Sequence, residues 1–374
     1  MSAGVVTALG SGVESFFSAL LAGAVGLEGA TLFDTSRFQA KLAAEAKLPP
    51  GDTLERGHRL ALLAAEEALR GVEFGGRRAG VAVGTTLGGN RLFTAALDGS
   101  PTDPALSTMS SATTLLATTF GARGPHATLS VACASGSAAI GLGAEWIRRG
   151  EAEVVLAGGY DALSEFVFSG FDALRALSRS VVRPFDLRRD GLALGEGAGF
   201  VVLEDAERAA RRGAPALALV RGYASAADAL HMTRPSPSGE GLVRAVTAAL
   251  RASGVAPDEI GFVSAHGTAT TFNDRMEAAA LRTVFGERVA TLPVNSIKGS
   301  IGHTLGAAGA LEAIAAALVL SRGLIPPTAG FAEPDPTCPL DVVSAVPRAT
   351  TARFALSTNA AFAGTNTALI LEKV

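Results

Sequence analysis

The chain has 374 residues, a formal charge of −3, 18 % charged and 6 % aromatic residues, and 73 Ala beside 44 Gly. That length supports a buried core over about two domains, and the abundance of aliphatic residues excludes a disordered or mucin-like chain. Basic residues form no stripe for a nucleic-acid backbone and no polybasic patch beside an amphipathic helix, so neither nucleic acid nor a membrane surface is expected as a partner.

Short apolar runs at 79–83, 128–132, 154–157, 199–203, 262–265 and 354–357 read as strands. Between them, 60–69, 138–148, 241–251 and 305–320 carry helical spacing. The alternation predicts an α/β protein with mainly parallel, doubly covered sheets. The helix at 305–320 contains Glu312 and is too short and polar to span a bilayer. Residues 204–213 form a charged surface helix after a finished strand, dividing the chain into 1–210 and 211–374. The proline-rich stretch 321–339 reads as an extended surface loop. Two small-residue helices after polar turns, beginning near Cys133 and His303, raise the question of an internal duplication that shared Ala/Gly composition could also explain.

Cys133 ends a strand-like run and precedes a helix of Ala, Ser and Gly. A helix N-terminus favours a thiolate and offers free N–H groups to an oxyanion. A buried cysteine acting as a small hydrophobe is the alternative. With Cys338 in an unlike context and no signal peptide at Met1, both cysteines read as thiols of a reducing, cytoplasmic compartment. His266 and His303 lie in Gly/Thr-rich turns after strands, where open α/β folds build their sites. His58, His126 and His231 read as satisfied imidazoles. Only four lysines accompany 28 arginines, which singles out Lys298, five residues before His303, as a compact ammonium. Asp274 and Glu277 suit capping or loop anchoring at a helix start, and Glu312 needs a partner, with Lys298 a candidate. No metal site is expected, because no CxxC, HxxxH or HExxH spacing occurs. The glycine runs 84–89 and 194–199 match no nucleotide-binding fingerprint and read as tight turns.

Taken together, Val131-Ala-Cys133-Ala-Ser-Gly-Ser, Ala265-His266-Gly-Thr-Ala-Thr270 with Asn273, Asp274 and Glu277, Lys298-Gly-Ser-Ile-Gly-His303-Thr-Leu-Gly-Ala-Ala-Gly, Phe362-Ala-Gly-Thr-Asn366 and Arg183-Pro-Phe-Asp186 resemble the β-ketoacyl-acyl-carrier-protein synthases of fatty-acid and polyketide synthesis. The resemblance runs nearly the whole chain, in order. It implies the thiolase fold, five αβαβα layers from two similar halves, with the nucleophile in 1–210 and the histidine pair, lysine and gating loop in 211–374.

By the same resemblance, Cys133 accepts the acyl group, His266 and His303 form the histidine pair, Lys298 supports them, and backbone N–H groups of Cys133 and Phe362 form the oxyanion hole. Thr268, Thr270, Phe171, Ala360 and Phe362 correspond to substrate-binding or gating positions, and Asp274, Glu277 and Glu312 to structural support. The reaction implied is decarboxylative Claisen condensation through an acyl-cysteine, with substrates on the 4'-phosphopantetheine of an acyl carrier protein and no metal, nicotinamide or flavin. A homodimer, or a heterodimer with a second ketosynthase-like subunit, is implied. The alternatives are a catalytically weak, chain-length-factor-like partner subunit and a thiolase using coenzyme A thioesters. Cys133 argues against the former, and the Thr-Cys338-Pro setting against the latter. His303 departs from the Cys-His-Asn set of ketoacyl synthase III.

Three departures from the family pattern stand out. The chain starts almost inside the usual first strand, which points either to truncation of that strand or to a misassigned start, and the loop between Ser178 and Arg183 is clipped. The pattern Asn-Ser-Phe-Gly-Phe-Gly-Gly-Thr-Asn becomes Thr358-Asn-Ala360-Ala361-Phe362-Ala363-Gly364-Thr-Asn366. Gly-to-Ala restricts this gate and Phe-to-Ala opens space, which predicts a long, bulky or unsaturated acyl chain.

Overall fold

A computed structural model describes residues 2–50, 54–211 and 213–374. Met1 and Arg212, which fall in the expected start and divide, lie outside them. The first half supplies strands β1 (Ser2–Thr7), β2 (Ala79–Gly84), β3 (His126–Leu129), β4 (Val154–Asp161) and β5 (Gly197–Glu204), with helices α1 (Arg56–Ala68) and α2 (Ser135–Arg148). The second supplies β6 (Leu219–Ala227), β7 (Ile260–Ser264), β8 (Pro293–Asn295), β9 (Phe354–Ala360) and β10 (Thr365–Glu372), with α3 (Glu240–Ser253), α4 (Thr271–Phe285) and α5 (Ala308–Arg322). The exposed helix Ala206–Arg211 lies between them.

Both halves form the same sheet. The order is β1-β5-β4-β2-β3 in one and β6-β10-β9-β7-β8 in the other, with Gly10–Ser11 and Asp341–Val342 added at one edge of each. The senses match too: β5 runs antiparallel to β1 and β4, and β2 parallel to β4 and β3. β10 repeats this against β6 and β9, and β7 against β9 and β8. The duplication suggested by two similar helices is therefore a property of the whole architecture. The sheets are mixed, however, where mainly parallel ones were expected. Apolar runs do not reveal strand direction when both faces are covered, as in the wholly buried VVLAGGYD of β4.

Helices α2 and α5 form the central layer between the two sheets, with α1 outside the first and α3 outside the second. Close approach of α2 and α5 explains the small residues. A Cβ at Gly136 would stand 2.8 Å from the Ala310 nitrogen, and one at Gly309 would stand 2.7 Å from that of Ser137. The run 194–199 is likewise not a turn. Gly197–Gly199 pair within β5, and a Cβ at Gly199 would press within 3.0 Å of Leu311 on α5.

Other boundaries also shift. The expected truncation of the first strand is not seen, since residues 2–6 pair along β5. The segment Leu305–Arg322 is long and apolar enough to cross a membrane, contrary to the shorter and more polar reading, but 89 % of it is buried inside the fold. Helix α5 runs to Arg322 and is closed by the left-handed Gly323, so the extended proline-rich loop starts later than expected.

Candidate active site

The strand before Cys133 is shorter than its apolar run, ending at Leu129, and the chain turns sharply at Ala132, whose φ is +50°. An L-residue adopts that conformation at a cost of about 1–2 kcal/mol. Ser135 braces the turn: its Oγ accepts from the Val131 N–H at 2.9 Å and donates to the Ala132 carbonyl at 2.6 Å. Cys133 is thereby presented just ahead of α2.

His266 follows β7 in a turn tied down by Glu277 of α4, whose carboxylate accepts from the His266 and Gly267 N–H groups, each at 2.8 Å. Thr358 on β9 donates to the same carboxylate at 2.7 Å. Thr270 caps α4 through the Asn273 N–H. His303 enters from the other side, where its N–H donates to the Ala193 carbonyl at 2.7 Å. Its Nε2 stands 2.9 Å from the Cys133 sulfur. The two imidazoles meet edge-on, with ring centroids 5.3 Å apart and an interplanar angle of 88°.

Lys298 and Glu312 lie behind this pair and are both buried. The Lys298 ammonium donates to Glu312 Oε1, to the His266 carbonyl at 2.6 Å and to His266 Nδ1 at 3.2 Å. The expected Lys298–Glu312 partnership is thus formed. Asp274 accepts from the Phe185 N–H at 2.7 Å and faces Arg189, and it anchors the loop from behind. Beneath the floor, Asp161 receives Thr85 Oγ1 at 2.6 Å and the Gly306 N–H at 2.6 Å.

Burial governs the protonation states. It lowers both His266 and His303 well below the ordinary imidazole value, with Lys298 adding to the effect, so both rings are neutral at pH 7. It pushes the Cys133 thiol up to about 12, against Lys298 and the backbone N–H of Phe362, which both pull downward. The thiolate expected from the helix N-terminus is therefore not the resting form. Desolvation outweighs it, and the sulfur stands within hydrogen-bond reach of His303 Nε2. Burial also raises the Glu312 carboxyl.

The reactive groups open into a cavity of ≈ 360 Å³. Cys133, Phe171, His266, Thr268, Thr270, His303, Ala360 and Phe362 all line it, while Lys298, Asp274, Glu277 and Glu312 stand outside its wall. Phe171 stacks on Phe362 at 5.5 Å and 16°. Of the candidate site residues named from the sequence, eight line this cavity and the other four pack behind it. Sequence reasoning missed Arg175 and Arg234 at the cavity wall. It also missed Asn359, whose one signal was its departure from the family pattern. Cys133, His266 and His303 bring donor atoms within 4.8 Å of one another. A dication there would face the Lys298 ammonium directly behind His266.

Two family models match: Beta-ketoacyl synthase, N-terminal domain, over residues 1–209, and Beta-ketoacyl synthase, C-terminal domain, over 217–332. The chain belongs to the β-ketoacyl synthase family. It is 37 % identical to the tetracenomycin polyketide synthase ketoacyl synthase alpha subunit of Streptomyces glaucescens, across 97 % of this chain and 94 % of that one. It is 34 % identical to 3-oxoacyl-[acyl-carrier-protein] synthase 2 of Staphylococcus aureus (strain COL), across 99 % and 96 %. The solved ishigamide ketosynthase/chain length factor superimposes with a TM-score of 0.93 at 37 % identity, covering 100 % of this chain and 98 % of that chain. This β-ketoacyl synthase is an acyl-transferring condensing enzyme of the fatty-acid or polyketide type, and its fold is thiolase-like.

Proposed function

We propose that the chain condenses an acyl thioester with a malonyl thioester through an acyl-Cys133 intermediate, both delivered by an acyl carrier protein in the cytoplasm. The observation that carries this reading is the 2.9 Å approach of His303 Nε2 to the Cys133 sulfur, with His266 edge-on beside it. We read 1–210 as the half that carries the nucleophile and 211–374 as the half that carries the histidines, lysine and gate.

In the first step the thiol proton passes to His303 as the sulfur attacks the acyl carbonyl. The oxyanion is received by the N–H groups of Cys133 and Phe362, and the pantetheine thiol leaves with a proton. In the second, the malonyl thioester oxygen enters between the two imidazoles. His266 donates to it from Nε2. Once the sulfur is acylated, no thiol proton competes for His303 Nε2, and the tautomer protonated there donates from the other side. The bond to the malonyl carboxylate breaks, carbon dioxide leaves, and its electron pair becomes an enolate held by these donors. In the third, the enolate carbon attacks the acyl carbonyl and the sulfur departs as a thiolate, which takes up one proton from solvent by way of His303, because its original proton left with the pantetheine thiol. The chain's own side chains and N–H groups carry each step, with no metal, nicotinamide or flavin.

Ala360 stands in the cavity lining where the family pattern has Phe, which supports a long, bulky or unsaturated acyl chain. The likeness to a ketosynthase/chain length factor pair favours a heterodimer with a second ketosynthase-like subunit. The test is intact-protein mass spectrometry of the chain and its Cys133→Ala variant with a panel of acyl-carrier-protein thioesters. An acyl increment that vanishes in the variant is expected. No increment with any donor would favour the weak-partner reading instead.

A further inference from the structure

Asn359 is the last fully buried residue of β9 before the gate, and it shares a network with the histidine pair. Its side-chain NH2 donates to Glu312 Oε2 at 2.5 Å and stands 3.4 Å from His266 Nδ1. These two neighbours fix the amide orientation, because turning it would set its oxygen against a carboxylate and an acceptor nitrogen. The oxygen points instead toward α5, with no hydrogen-bond partner. Room for it exists only because residue 309 is glycine: a Cβ there would lie 2.6 Å from Oδ1.

Two donors therefore converge on one nitrogen. Lys298 Nζ and Asn359 Nδ2 both face His266 Nδ1, and neither can accept a hydrogen bond from it. We propose that Asn359 is a positioning residue that, with Lys298, holds His266 in the tautomer carrying its proton on Nε2, where it faces the cavity. The inference rests on the donor role assigned to His266 above. The geometry also explains why one ammonium is not enough. Glu312 has its two oxygens engaged separately, one by Lys298 and the other by Asn359. With Asn359 gone, His266 Nδ1 loses one of its two donors and Glu312 Oε2 loses its own, so the tautomer protonated on Nδ1, which turns the imidazole's lone pair toward the substrate, is less disfavoured. The charged and titratable groups around His266 are Lys298, Glu312, His303, Cys133 and Glu277, the last bonded to its backbone N–H.

The test uses the purified full chain with malonyl-acyl carrier protein, following carbon dioxide release across pH in wild type, Asn359→Ala, Asn359→Asp and His266→Ala. Asn359→Ala should lower decarboxylation kcat about tenfold or more, with KM and the rate of Cys133 acylation within about twofold. In Asn359→Asp the added carboxylate accepts from Nδ1, so the imidazolium still donates from Nε2 while the neutral ring turns its lone pair toward the substrate, and the rate profile should gain a basic limb that the wild type lacks. A residue that only packs would add no limb. Unchanged rates and profiles in both variants overturn the proposal. An unaffected His266→Ala overturns instead the donor role on which it rests. If the variants fail to fold, 15N-histidine spectra of the wild type decide: protonation of His266 at Nε2 is expected, and at Nδ1 would overturn the inference.

Discussion

His303 Nε2 lies 2.9 Å from the sulfur of Cys133, although 170 positions separate them in sequence. Burial keeps the sulfur protonated and the imidazole neutral, so the pair holds one transferable proton in a buried site. Attack by sulfur then depends on a general base already in hydrogen-bond reach. Replacing His303 with Ala should slow Cys133 acylation by about 10²-fold or more, in the range for a lost general base. Rapid-quench mass spectrometry of the acyl-enzyme measures this directly. An acylation rate preserved in the variant would show that the sulfur is activated without His303.

The gate carries backbone strain. Ala363 sits at φ +65° and ψ +9°, a conformation that costs a non-glycine residue about 1–2 kcal/mol. Ala363→Gly should therefore raise stability by about 1 kcal/mol, read as a denaturant midpoint shifted upward with an unchanged slope. A lowered midpoint would mean that the alanine methyl contributes packing that outweighs its strain.

Ala360 lines the same cavity as Phe171 and Phe362. Ala360→Phe should fill that space and cut the acylation rate for long acyl chains relative to short ones by about tenfold or more, since each methylene in an apolar pocket contributes about 1–3 kcal/mol. Competition between two acyl-carrier-protein thioesters, read by mass, gives the ratio. An unchanged ratio would place the acyl chain elsewhere.

Asp274 gives a pH signature. Burial lifts its carboxyl from 3.8 to about 6, more than the Phe185 N–H and Arg189 pull it down. Between those values the folded chain holds a proton that the unfolded chain has lost, so this group makes stability fall as pH rises from about 4 to about 6. The full effect is on the order of 3 kcal/mol. Asp274→Asn should flatten this part of the stability–pH curve. Asp161, raised in the same direction, leaves some slope behind. Parallel curves for the two proteins would refute the assignment.

The sequence by itself determined the α/β class, the family and the identities of the reactive groups. Cys133, His266, Lys298 and His303 each stand in a short local motif, and small-residue runs announced close-packed helices. What those groups do to one another was decided by the tertiary structure. Strand directions stayed hidden because a doubly covered strand is apolar in either sense. The protonation of Cys133 ran opposite to its local context because desolvation depends on everything packed around the sulfur, and here it outweighs the downward pull of Lys298 and of the Phe362 N–H more than 200 positions away. Asn359 drew no reading from the sequence. Only the folded chain sets its amide between Glu312 and His266, since a hydrogen bond across three separate elements exists in space and leaves no periodicity in sequence.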